Sequence, residues 1–444
     1  MSLWWDGIER PKFSPGSLDQ NWDVVIVGGG FSGLWSAYHL LNAQPDLKIA
    51  ILEKSLVGAG ASGRNGGWAS ALYPVSELSL LRRFSAEAVE TLFAHLRGSI
   101  DEIGKFIERE KISAQFIKGG TLLVARNQAQ LDRLKSERDP RSILLEADET
   151  LARIGMQGAL GSTFNPHCAS LNPAQLVVGL ARSLEKRGVA IFENTLVEIS
   201  NNKKVFYRGN EISSRFALRA IEAYHANNRE QIPIYSLMIA TQPLPDEAFK
   251  EIALHNRETF AEVSHLVNYA QRTADNRLAI GGRGAAYSMG SRRNESRESN
   301  QKIHGHLQKM ARQWFPILKD YQFTHAWGGA VGVTRDWSPF LRWDGKYGEM
   351  GGYAGDGLTL SYLTASTAAA LILEESPSDR ASLPFVQWKS PRWEIEPLRW
   401  LGINAGIKLT KIADWEEKKT DQPSRMMRHL APIFGLEKNL PTEI

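Results

Sequence analysis

The stretch DVVIVGGGFSGLWSAYHLLNAQPDLKIAILEK, residues 23–54, decides the fold. DVVIV is a short β-branched run of the kind buried in a parallel sheet. Gly28, Gly30 and Gly33 follow with GxGxxG spacing, and an apolar helical pattern runs from there to about Asn42. KIAILE reads as a second strand and ends in Glu53, twenty residues after Gly33. Gly28 permits the tight turn out of the strand, Gly30 lets a pyrophosphate approach the backbone, and Gly33 lets the helix pack close to the strand. The helix start, at Phe31 and Ser32, offers free N–H groups and a positive dipole end to phosphate oxygens. Glu53, next to Lys54, can accept hydrogen bonds from both ribose hydroxyls of an adenosine and would repel a 2′-phosphate. Strand, turn, helix and acid agree on a dinucleotide-binding βαβ unit. The alternative is a glycine turn in a nucleotide-free α/β fold.

Composition excludes several classes. The 444 residues, 43% of them hydrophobic, are too many for one simple core and predict two or three domains. A net charge of +4, with no dense basic block, argues against nucleic-acid binding. Cys168 stands alone, so an internal disulfide and a thiolate metal cage are excluded, and a reducing cytoplasm is expected. HExxH, CxxC and GxSxG patterns are missing, so no metal is expected. MSLWWDGIERPKF has no basic segment followed by an apolar run, so no signal peptide is read there.

Soon after Glu53 comes GAGASGRNGG, residues 58–67, in which half of the residues are glycine. Such a run forms neither a stable helix nor a packed strand. An NAD-dependent dehydrogenase would continue here into further alternating strands and helices. A second glycine loop suits a longer cofactor, whose pyrophosphate and ring lie against the backbone. Farther on stand NPAQLVVGLARSLEKRGVAIFENTLVEI, NRLAIGGRG and GGYAGDGLTLSYLTASTAAALIL, in that order. The last of these reads as a glycine turn entering a helix near Leu358.

With these motifs the chain resembles the FAD-dependent D-amino acid oxidase superfamily, in its amine-oxidising, γ-glutamylputrescine oxidase-like branch. The resemblance covers roughly residues 20–375 and implies an α/β (α+β overall) fold. A Rossmann-like FAD-binding domain is expected from residues 18–90, 160–230 and 325–375. A discontinuous substrate domain on a mixed or antiparallel sheet is expected from 91–159 and 231–324, and a C-terminal helical extension from 376–444. The resemblance also implies FAD contacts from Ala61, Ser62, Gly63, Arg64, Asn65, Gly66 and Gly67, and from the Val197 backbone against the adenine. Gly355, Asp356, Gly357, Leu358 and Thr359 are expected at the flavin N1–C2=O edge, where a helix dipole favours the reduced ring. FAD is expected to be held without a covalent link.

The implied chemistry is hydride transfer from a C–H beside a neutral amine nitrogen to flavin N5. The imine then hydrolyses, and O2 or another acceptor reoxidises the flavin. The catalytic candidates are Arg64, Arg283, Asp356, Trp327 and Tyr353. Arg64 reads either as a cation that favours reduced flavin or as a structural, phosphate- or salt-bridge-holding arginine. Asn65 reads as a loop fastener. Asp356 stands where related amino-acid oxidases carry histidine, and Thr359 stands near their carboxylate-gripping basic residue. That argues against a simple α-amino acid and for a cationic amine such as a polyamine derivative; the competing reading makes Asp356 a helix cap. Sarcosine oxidase-like enzymes carry a lysine near Ala279, and Arg283 reads as its substitute or as an ordinary ion pair. Trp68, Tyr73, Tyr269, Tyr287, Trp327 and Tyr353 are candidates for an aromatic pocket or for core packing. The tail stretch LRWLGINAGIKLTKIADWEEKK reads as an amphipathic helix packed back on the FAD domain, with contact to a membrane surface or a partner as the second reading.

Overall fold

A computed structural model describes residues 2–136, 139–224, 229–283, 285–293, 297–374 and 379–434. The opening stretch folds as strand Trp22–Val27, helix Phe31–Ala43 and strand Ile49–Leu52. The two strands are parallel, with Val24 opposite Ile49 and Val27 opposite Leu52. Val24, Val25 and Ile26 are fully buried, as expected of a strand covered on both faces. The helix has almost no polar face because a second helix, Gly357–Ile372, packs along it. Leu34, Trp35 and Leu40 of the first helix share one core with Leu360 and Leu363 of the second.

Ser214–Arg219 pairs with the first strand on its other side, in parallel, and Tyr347–Gly351 pairs with it in turn. Phe340–Trp343 and Ala190–Phe192 form the two edges of this six-stranded sheet. The chain thus leaves the first strand to one side and later returns on the other. The carboxyl end of that strand is a topological switch point, where an open α/β sheet forms a crevice.

An eight-stranded sheet lies beyond it. Its order is Phe323–Thr334, Gln231–Thr241, Leu278–Gly282, Asn268–Arg272, Thr259–Glu262, Thr121–Ala125, Gly161–Asn165, Ile143–Glu146. All neighbours are antiparallel except Thr259–Glu262 with Thr121–Ala125. The segments GGTLLVARN, HLVNYAQR and NRLAIGGRG each supply one of these strands. Gly161–Asn165 and Phe323–Thr334 also pair in this sheet, although the expected boundaries at 160 and 325 put most of both with the dinucleotide part.

The amphipathic tail is the helix Leu398–Thr420. It does not pack on the six-stranded sheet as expected. Its inner face meets the helix Gln128–Ser136, the turn around His265 and the loop around Tyr287, all on the side of the larger sheet. The cause is a buried charge cluster. The Glu417 carboxylate accepts from Arg133 Nη1 and Nη2 at 3.0 and 2.9 Å and is 2.8 Å from His265 Nε2. Asp414 accepts from the backbone N–H groups of His265 and Leu266. Among the described residues no helix is long and apolar enough to cross a membrane.

Candidate active site

A cavity of about 1290 Å³ opens at the switch point and reaches across to the larger sheet. One stretch of its wall is the glycine turn. Gly28 has φ +116°, and a Cβ there would lie 2.5 Å from Ala220 O, so only glycine fits. Gly28, Gly30, Phe31 and Ser32 lie on the wall, whereas Gly33 is buried against the turn. Glu53 Oε2 accepts from Gly29 N, and Oε1 from Ser55 N, each at 2.8 Å. These bonds fix the carboxylate where Lys54, Thr195 and Val197 also line the cavity. Val197 is not in a strand; it immediately precedes the short strand Glu198–Ile199.

The glycine loop runs along the same cavity. Ala61–Gly63 is one turn of 3-10 helix. Ser62 Oγ accepts from Phe31 N at 2.9 Å and so ties the loop to the start of the first helix. Asn65 fastens the loop to itself, donating to Ala61 O and Ser62 O and accepting from Gly67 N. The N-terminal turn Leu3–Trp5 lies beneath, where Trp4 Nε1 donates to Asn65 O at 2.7 Å. Ala61, Ser62, Arg64, Asn65 and Gly66 are on the cavity wall; Gly63 and Gly67 are behind it. Arg64 pairs with Glu298, Nη1 to Oε2 at 2.5 Å, and its carbonyl accepts from Trp327 Nε1 at 2.9 Å. Trp327 is buried edge-on against Trp4 and does not line the cavity, so it holds the loop from behind instead of meeting a substrate.

Tyr353, Gly355, Asp356, Gly357 and Leu358 line the wall where the helix Gly357–Ile372 begins. Thr359 is buried within that helix and misses the wall. Asp356 occupies the N-cap position but makes no side-chain capping bond, contrary to the capping reading. Its charge instead faces Arg283, whose Nη2 donates to Ala354 O. Burial pushes the Arg283 pKa down, and Asp356 and Tyr269 oppose that shift. Tyr353 OH is 2.9 Å from Ser32 Oγ and 2.9 Å from Thr364 Oγ1, and so bridges the helices Phe31–Ala43 and Gly357–Ile372. Burial pushes its hydroxyl up to about 12. Trp68 and Tyr269 pack edge-on at 5.6 Å on the same wall. Tyr287 is buried elsewhere, bonded to Glu396, and Tyr73 also lies off the wall. Cys168 is buried beside Thr259, and burial lifts its thiol to about 12, so it is no nucleophile.

Sequence reasoning missed Glu222, Tyr224, Arg293 and Ser236, all of which line the cavity, and Glu298, which holds Arg64. None of them lies in a recognisable local motif. The family of FAD dependent oxidoreductases called DAO matches residues 23–371. The chain belongs to that family. This DAO-family chain is 29% identical over 391 residues to the probable oxidoreductase OrdL of Rhizobium meliloti (strain 1021), covering 83% of this chain and 87% of the relative. It is 26% identical over 367 residues to gamma-glutamylputrescine oxidoreductase of Escherichia coli (strain K12), covering 79% and 83%. Glycine oxidase from Geobacillus kaustophilus shares the fold, with TM-score 0.65 and 19% identity over 81% of this chain and 96% of that one.

The DAO-family cavity fits FAD. Ligand pockets for drug-sized molecules run to roughly 300–1,000 Å³. At about 1290 Å³ the cavity is larger than that range. The Gly28 turn, the Phe31 helix start and Glu53 suit a pyrophosphate and a ribose, and the Gly357 helix start suits an electron-rich ring.

Proposed function

We propose that this FAD-dependent oxidoreductase oxidises a C–N bond of a cationic amine outside the simple α-amino acids, a polyamine derivative being the leading class. Bound FAD supplies the hydride acceptor at its N5, and water hydrolyses the resulting imine. The observation that carries the reading is Asp356, an acid on the cavity wall at the turn beneath the expected ring position. Asp356 draws in the ammonium form of the amine, and the faces of Trp68 and Tyr269 support it. The Arg283 cation beside Asp356 lowers the pKa of a bound ammonium, which releases its proton to water before the hydride leaves. The start of the Gly357–Ile372 helix stabilises the negative charge that the ring gains. Arg64 is held by Glu298 and fixes the loop along the cofactor. In this reading the six-stranded sheet and its helices hold the dinucleotide, and the eight-stranded sheet covers the reacting end. The electron acceptor is O2 or a second oxidant.

A second reading rests on Arg283. Its guanidinium reaches the Ala354 carbonyl at the same turn, where it suits a substrate carboxylate. Anaerobic bleaching of the flavin across polyamines, N-acylated polyamines, glycine and sarcosine separates the two. Bleaching by the polyamine group alone supports the first reading; rapid bleaching by glycine or sarcosine replaces it with the second.

A further inference from the structure

Glu222 lines the same cavity as Gly28, and its carboxyl is held against Gly332 and the Tyr353 backbone. Three features set it apart. Its backbone is left-handed, φ +44°, a conformation that costs a non-glycine residue energy. Its Oε2 accepts from two backbone N–H groups, Ala223 N and Gly332 N, each at 2.6 Å. Gly332 leaves the room for this: a Cβ there would lie 2.8 Å from the carboxyl carbon and from both oxygens. Oε1 is shut off from solvent and, among the described residues, makes no hydrogen bond.

A carboxylate with two short N–H bonds on one oxygen, and only the weaker pull of the Tyr353 N–H besides, is poorly compensated in a buried place. Burial accordingly raises its pKa to about 7, although the N–H groups of Gly332, Ala223 and Tyr353 pull the other way. The groups around it leave Glu222 as the one poised to change. Tyr353 and Tyr224 are lifted to about 12 by burial, Arg293 lies over the Tyr224 ring, and the Arg64–Glu298 pair lies beyond it.

We propose that Glu222 couples FAD binding to proton uptake, so that the site holds the cofactor with the Glu222 carboxyl protonated. This rests on the assignment of the cavity to FAD. The pyrophosphate brings two negative charges into the cavity that Glu222 lines, and in that setting it disfavours a third. Below pH 7 the carboxyl is protonated with and without cofactor, and affinity is flat. Above pH 7 the cofactor-free site has lost the proton and must regain it on binding, so affinity falls as pH rises. The fall is at most about tenfold per pH unit for one proton. It stops where the cofactor-bound site also loses the proton.

The test titrates apoprotein with FAD, followed by quenching of flavin fluorescence, between about pH 5.5 and 9, a range that spans an acid raised to neutrality. Calorimetry at pH 8 in two buffers of different ionisation enthalpy counts the protons taken up. Expected are weakening affinity above pH 7, uptake of a fraction of a proton up to one, and loss of both effects in Glu222→Gln, which binds at every pH as the native protein does at low pH. An identical pH slope in Glu222→Gln overturns the proposal. So does FAD binding by the native protein without proton uptake, a result that stands even if the variant does not fold. If the native protein binds no FAD at any pH, the cofactor assignment falls, and the proposal with it.

Discussion

Gly33 shows how much one residue type fixes at the residue scale. A Cβ there would lie 2.0 Å from Gly28 O, the atom that shapes the phosphate turn. Gly33→Ala is expected to push the first helix away from its strand, lowering FAD affinity by more than about tenfold and stability by about 2 kcal/mol. Flavin content on purification and urea unfolding read the two effects; full flavin content would refute this account of the turn. Asp356 gives the second prediction. Asp356→Asn keeps its shape and removes the charge, so the rate of flavin reduction by a cationic amine should drop at least about tenfold, or about 1.4 kcal/mol. Flavin content should be unchanged. An unaltered rate would mean that Asp356 does not meet the substrate. Gly28, Gly33 and Glu53 were legible because their reasons are local: one turn, one helix start and one acid at the next strand end. Glu222 and Glu298 were not, because their partners Gly332 and Arg64 lie 110 and 234 residues away and only the folded topology brings them together.

Among the elements, the Leu398–Thr420 helix was legible as an element but not in its placement. Its amphipathic pattern predicts that the apolar positions are buried, but the buried face carries Arg399, Gly406, Thr410, Ala413 and Glu417 instead, and the pattern does not say which surface that face meets. That choice falls to Glu417, 1% exposed, and Arg133, 7% exposed, which find each other across 284 residues. Leu398, Leu401, Ile412 and Trp415 remain exposed on the outer side. Removing one partner strands the other charge, so Glu417→Ala should cost about 3 kcal/mol. Burial opposes the charge on Glu417, but the hydrogen bonds of His265 and Arg133 prevail and hold its pKa at about 2, below the ordinary 4.5. A depressed acid stabilises above its unfolded pKa and loses that contribution as pH falls toward the folded value. Asp414 runs the other way. Burial lifts it to about 6 from 3.8, so its contribution is present at low pH and is lost as pH rises through 6. The cost of Glu417→Ala should therefore be largest near neutrality and shrink between about pH 4.5 and pH 2. A cost that does not change with pH in urea titrations would show that the docking does not depend on this charge.

Across the whole molecule, two sheets meet around one cavity, and residues of both line it. The six-stranded sheet supplies Gly28 and Glu53, and the larger sheet supplies Ser236, Met238 and Tyr269 to the same wall. Neither sheet can satisfy that wall alone, so the unfilled protein should be the looser state. A ligand that binds only the folded chain stabilises it by RT ln(1 + [L]/Kd), about 2.7 kcal/mol at a hundredfold excess over Kd. With an unfolding entropy of about 2.1 cal/mol/K per residue, this corresponds to a rise of about 3 °C for a chain of 444 residues. Thermal unfolding of apoprotein with and without FAD measures it, with AMP and FMN as halves of the cofactor. If the cavity is one binding unit, FAD should raise the midpoint by more than AMP and FMN added together when each is present at the same concentration. Equal shifts from AMP and FAD would place all the binding energy at the Gly28 turn and leave the larger sheet out of cofactor recognition.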